Sequence, residues 1–171
     1  LAGAYLKSYW ETLDPLKSAQ IDYLPQKLAD FGGDASILQW LESRSFEVCA
    51  FTVFMWNLER SLYLAEKIKE KKPQTFILFG GPEISEGSPA LKSPFVDTFV
   101  SGEGERQFTF LINKIIRRKP LPRYCRETKP LDLSTVPNPY LSRSLKSRPG
   151  QILHLETMRG CPFSCAYCYY P

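Results

Sequence analysis

With 171 residues, 43% of them hydrophobic and 23% charged, the chain is long enough for one domain with a real core, and its composition excludes disorder throughout. No apolar run approaches the roughly twenty residues that span a bilayer. The opening residues 1–6, interrupted by Lys7, show no cleavage-site pattern, so neither a membrane protein nor a secretory leader is expected. The net charge of +4 conceals two unlike halves. Residues 1–100 carry 10 Lys and Arg against 13 Asp and Glu, a net of −3, and residues 101–171 carry 12 against 5, a net of +7. The basic half reads as a solvated connector awaiting an acidic surface; nucleic acid is a partner it allows but does not favour. Five cysteines, three of them within eight residues, argue against a disulfide framework and for a reducing, cytoplasmic compartment. Cys49 lies in an apolar run and reads as a small core residue, and Cys125 reads as a free thiol.

The first element is a helix, with Ala2, Leu6, Tyr9, Trp10 and Leu13 at helical spacing and Asp14-Pro15 ending it. Residues 21–24 form a short strand candidate. A helix over 35–43 follows, with Ile37, Leu38 and Leu41 on one face and Asp34 as its N-cap. Residues 47–54 form a continuous apolar run, as in a strand buried on both faces of a parallel sheet. Asn57 is placed to cap the next helix, whose inner face is Leu58, Leu62, Ala65 and Ile68. Lysines in its last turn suit the helix dipole, and Pro73 stops it. Residues 75–79 are a second buried strand running into Gly80-Gly81-Pro82-Glu83. A third strand, 96–100, runs into Ser101-Gly102-Glu103-Gly104-Glu105 and a helix striped by Phe108, Leu111, Ile112, Ile115 and Ile116.

Alternation of strand and helix defines an α/β fold with a parallel, Rossmann-like sheet. Such sheets bind ligands beyond the carboxyl ends of their strands. That edge carries Thr52, Trp56, Asn57, Gly80, Gly81, Pro82, Glu83, Gly102, Glu103 and Gly104. Gly80 and Gly81 would let a flat ligand approach the backbone. Glu103 and Glu105, at a helix N-terminus, would repel phosphate and are expected to bind neutral hydroxyl or amide groups. Six prolines between 120 and 149 predict an extended basic linker over 120–150. Order is expected to return in a strand at 151–156. The predicted units are therefore 1–119, 120–150 and 151–171.

Cys161, Cys165 and Cys168 are separated by three and then two residues. Three thiolates at this spacing hold three corners of a 4Fe-4S cluster and leave the fourth iron open. Zinc is the competitor, with His154, the sole histidine, as a fourth ligand.

The sequence from Arg159-Gly160-Cys161-Pro162-Phe163 to Cys168 resembles the signature of the radical S-adenosylmethionine (radical SAM) enzymes, with Tyr167 as its aromatic residue. The strand-end phrases that begin at Phe51, Gly80 and Gly102 resemble the cobalamin-binding domain that precedes many radical SAM barrels. The two likenesses cover about residues 1–110 and 151–171. They imply a cluster on Cys161, Cys165 and Cys168, S-adenosyl-L-methionine chelated to the open iron, and its cleavage to a 5′-deoxyadenosyl radical. They further imply Tyr167 beside the adenine, and cobalamin at the sheet edge. The implied reaction is transfer of a methyl or other carbon group to an unactivated carbon, with a flavodoxin or ferredoxin as reductant. The substrate would be bound by barrel sequence not in this chain. The domain's usual first strand is absent, and so is an Asp-x-His-x-x-Gly signature, so no histidine of this chain would ligate cobalt. The chain thus reads as cut at both ends and inactive alone. Two other readings are a radical SAM enzyme that modifies RNA, and a non-catalytic cobalamin or nucleotide module with a zinc knuckle.

Overall fold

The computed structural model describes residues 1–14, 18–147, 150–161, 163 and 165–168. Pro15, Arg148, Pro149 and Pro162, used in the sequence reading, lie outside them. Four strands, β1 (Val48–Thr52), β2 (Phe76–Gly80), β3 (Thr98–Ser101) and β4 (Tyr124–Arg126), form one sheet in the order β1-β2-β3-β4. Every adjacent pair is parallel. Among the described residues five α-helices accompany it: α1 (Ala2–Leu13), α2 (Gln26–Phe31), α3 (Asp34–Glu42), α4 (Leu58–Lys71) and α5 (Gly104–Ile116). The Rossmann-like α/β expectation is met.

Strand alternation sorts the core onto two faces. Ile77, Phe79 and Phe99 point to one face, where they pack with Leu58, Ala65 and Ile68 of α4 and with Ile84, Ala90 and Val96 of the β2–β3 connection. Leu78, Val100 and Cys125 point to the other face, against Leu111 of α5. Ile112 and Ile115 of α5 then cover Trp10 of α1. Rings of Phe51, Phe79 and Phe99 step across three strands at centroid distances of 5.1 and 6.1 Å. Asp97 completes the lower end of β2: its carboxylate accepts the Ile77 N–H at 2.7 Å and pairs with Lys69 at 2.8 Å.

Several expectations are corrected. The run around β1 is not buried on both faces: Ala50 and Thr52 are exposed on one of them, and β1 is an edge strand. Residues 21–24 form no strand. They lie along α1, where Lys7 donates to the Ile21 carbonyl at 2.8 Å and sits 5.5 Å from the Tyr23 ring centre. Asp34 is the first helical residue, after an N-cap at Gly33, and its carboxylate turns to Arg60 Nε at 2.6 Å. On α1 the buried residues are Ala4, Ser8 and Trp10, whereas Leu13 is exposed.

Residues 120–147 pack closely against the domain. They supply β4, bury Leu131 and Pro139, and join α1 through Ser8–Ser142 (2.8 Å) and Glu11–Ser144 (3.1 Å) hydroxyl contacts. Among the described residues the predicted strand at 151–156 does not form, and Ile152, Leu153 and Leu155 are exposed. Among the described residues no helix is long and apolar enough to cross a membrane.

Candidate functional site

Because all four strands run parallel, the loops after β1, β2 and β3 meet at one edge of the sheet. The first is shaped by Asn57. This residue occupies the N-cap position of α4, but its side chain makes no capping bond to that helix. Instead Asn57 Oδ1 accepts the Phe54 N–H at 2.7 Å and Nδ2 donates to the Thr52 carbonyl at 3.0 Å. The tight loop projects Met55 and Trp56, which are 79% and 77% exposed, and Trp56 stacks on Phe54 at 4.6 Å. An exposed apolar platform beside free strand ends is a feature that a ligand would cover.

The glycine loops serve the chain's own packing first. Gly81 has φ +116°, and a Cβ there would lie 2.5 Å from the Val53 carbonyl oxygen. Val53 N–H donates to the Gly80 carbonyl and Glu83 N–H to that of Val53, so this approach locks the first loop to the second. Gly102 has φ +82°, with a Cβ position 2.7 Å from the Glu127 carbonyl oxygen. Gly80 differs: its Cβ would meet Val100 at 3.7 Å, an ordinary contact. Of the two glycines expected to admit a ligand, Gly81 is already occupied by backbone.

Glu103 and Glu105 are also engaged within the chain. Glu103 Oε2 accepts the Leu131 N–H, so it does bind a neutral amide, but one of its own backbone. Glu105 is 4% exposed. Its partner is Arg159, two residues before Cys161, at 2.5 Å; the same guanidinium reaches Glu103 at 3.4 Å and Glu156 at 3.0 Å. Burial disfavours the charged guanidinium, yet the bonds to Glu105 and Glu156 outweigh it, and its pKa rises above the ordinary arginine value. The sequence reading assigned Arg159 no role. Acid and base lie 54 positions apart, and no periodicity connects them.

Cys161, Cys165 and Cys168 are free and exposed. Ala166 and Tyr167 form a turn, closed by Cys168 N–H donating to the Cys165 carbonyl at 3.0 Å, and Tyr167 is 92% exposed. As donors the three thiols suit an iron–sulfur cluster. They are not gathered: among the described residues no three His, Cys, Asp or Glu side chains converge on a metal position. Binding would itself draw the loop together, as metal binding commonly does. Cys49 and Cys125 take no part. The Cys49 thiol is turned into the core, where burial pushes its pKa up to about 12; Cys125 is buried, and burial raises its pKa too.

A parallel α/β sheet with an exposed platform at its strand ends, followed by a cysteine-bearing arm, makes up the candidate site. No family model matches the chain. Two curated relatives do. One is 2-(S-pantetheinyl)-carbapenam-3-carboxylate methyltransferase of Streptantibioticus cattleyicolor, 31% identical over 150 residues, covering 71% of this chain and 22% of the relative. The other is the cobalamin-dependent radical SAM methyltransferase TokK of Streptomyces tokunonensis, 29% identical over 156 residues with the same coverage. The chain is thus a homologue of part of two methyltransferases, one of them named as a cobalamin-dependent radical SAM enzyme. It spans about a fifth of their length.

Proposed function

We propose that this chain is the cobalamin-binding-type domain and cluster loop of an enzyme that transfers a methyl group to an unactivated carbon. Cys161, Cys165 and Cys168 would hold the 4Fe-4S cluster, and Tyr167 would lie against the adenine of S-adenosylmethionine. Thr52, Trp56, Asn57, Gly80, Pro82 and Gly104 would border cobalamin at the sheet edge. The cluster, when bound, supplies the electron that cleaves S-adenosylmethionine. The chain's own contribution is to present three exposed sulfurs along the arm and an apolar platform at the strand ends.

The observation that carries this reading is the pairing, within one short chain, of the Cys161–Cys165–Cys168 spacing with strand-end loops on a parallel sheet, and similarity to relatives named as methyltransferases supports it. The platform fits a large planar ligand through Met55 and Trp56. The sole histidine, His154, belongs to none of the strand-end loops, so cobalamin would bind without a histidine ligand from them.

The test has two arms. Titration with hydroxocobalamin is expected to shift its visible absorption, and Trp56→Ala to weaken that binding. Anaerobically reconstituted protein is expected to cleave S-adenosylmethionine with a reductant, and Cys165→Ala to abolish the cleavage. Stoichiometric zinc in colourless protein would support the module reading instead, and salt-dependent RNA binding would support the RNA-modifying one.

A further inference from the structure

The arm that carries the cysteines has no strand partner among the described residues, yet it is held in place. Arg159 provides most of the hold. Its terminal nitrogens reach Glu105 at 2.5 Å and Glu103 at 3.4 Å, both at the start of α5, while Nε bonds Glu156 of the arm at 3.1 Å. The guanidinium also lies 5.6 Å from the ring centre of Tyr5 on α1. Further along, the Tyr140 hydroxyl donates to the His154 carbonyl at 3.1 Å and accepts the His154 N–H at 3.2 Å.

The charge arithmetic makes this more than a surface pair. Three carboxylates converge on one cation, and the Arg159 side chain is only 16% exposed. Glu105 is buried, and a buried carboxylate without its cation is strongly unfavourable. Exposed ion pairs contribute little because water competes for both partners; here water is largely excluded. A planar guanidinium also fixes direction, which an ammonium does not. The contact therefore specifies where residue 159 sits, and Cys161 follows two residues later.

We propose that Arg159 is a positioning residue, clamped by Glu105 and Glu103, that fixes the cysteine arm over the carboxyl edge of the sheet. The clamp sets where the three thiols stand relative to the strand-end loops. That the thiols serve a cluster rests on the proposed function; the clamp itself is a property of the cofactor-free chain and is tested there.

The experiment attaches spin labels to Cys161 and to Met55→Cys in a Cys49→Ala, Cys165→Ser, Cys168→Ser background, leaving the buried Cys125 unlabelled. Pulsed dipolar spectroscopy then reads the distance between arm and sheet edge. The parent is expected to give one narrow distribution. Arg159→Gln and Glu105→Gln are each expected to lose it, the double variant to be no broader than either single one, and Arg159→Lys to recover it in part. Arg159→Gln, which leaves buried Glu105 without its cation, is expected to melt below the parent but to keep the parent's circular dichroism at the measuring temperature. A narrow distribution in both Gln variants overturns the proposal, and so does a broad one in the parent. Global unfolding of Arg159→Gln also overturns it, because Arg159 would then support the whole fold rather than place the arm. Failure to assemble a cluster would leave these distances untouched, so the two ideas fail separately.

Discussion

Replacing Gly81 by Ala separates a glycine required by the fold from one kept for a ligand. At φ +116° an L-residue is strained, and its Cβ would lie 2.5 Å from Val53 O and 2.7 Å from Val53 N. The neighbour is backbone and is bonded to Gly80 and Glu83, so it cannot swing aside. The dihedral strain is about 1–3 kcal/mol. Overpacking adds about 1–3 kcal/mol, and the reduced freedom of the unfolded chain returns about 0.4–1 kcal/mol. The net loss is about 2–5 kcal/mol, a large share of a stability of roughly 5–15 kcal/mol. For a chain of this size that lowers the melting temperature by roughly 5–15 °C. Gly80→Ala is the control: with its nearest atom at 3.7 Å and no positive φ, its change should stay within about 1 kcal/mol. The assay is thermal unfolding of cofactor-free protein followed by circular dichroism. Equal melting temperatures for the two variants would refute the reasoning, because a glycine kept only for ligand approach is harmless when no ligand is present.

Asp97→Ala should cost about 1–3 kcal/mol in urea unfolding, because it strands the amide of fully buried Ile77; an unchanged midpoint would contradict that. Asn57→Ala removes two hydrogen bonds that shape the first loop and should lower stability by about 1–2 kcal/mol, with faster amide exchange at Phe54 as the local readout. At pH 8, thiol alkylation read by mass spectrometry should modify Cys161, Cys165 and Cys168 and spare Cys49. The Cys49 thiol has a folded pKa of about 12 against an ordinary 9.0. Its contribution to stability is therefore complete below pH 9 and is lost as pH rises toward 12. A Cys49→Ala variant should show a correspondingly shallower alkaline loss.

Two strands were legible because their composition matches their place. Residues around Ile77 and Phe99 are apolar on both faces, and β2 and β3 are the central strands. The run at β1 was equally apolar, yet β1 is an edge strand with Ala50 and Thr52 exposed, so an apolar run does not by itself report cover on both faces. β4 was hidden. Tyr124-Cys125-Arg126 is three residues long within a Pro-rich, basic stretch, and only pairing with β3 makes it a strand. The converse holds at 151–156, where Ile152, Leu153 and Leu155 suggest a strand but find no ladder.

At the site, the loops that follow each strand could be placed from the sequence because parallel order forces them to one edge. What each residue does there depends on contacts between distant segments: Gly81 with Val53, Gly102 with Glu127, Glu105 with Arg159. Local patterning carries no trace of these. The cysteine spacing is the opposite case, a short-range signal whose meaning lies in the metal it suits.

The central claim is that the three exposed thiols of the arm bind an iron–sulfur cluster. Anaerobic reconstitution followed by iron and acid-labile sulfide analysis addresses it directly. The account predicts one 4Fe-4S cluster per chain, lost in Cys165→Ala. Intact thiols with no bound iron or sulfide, or with zinc in their place, would contradict it.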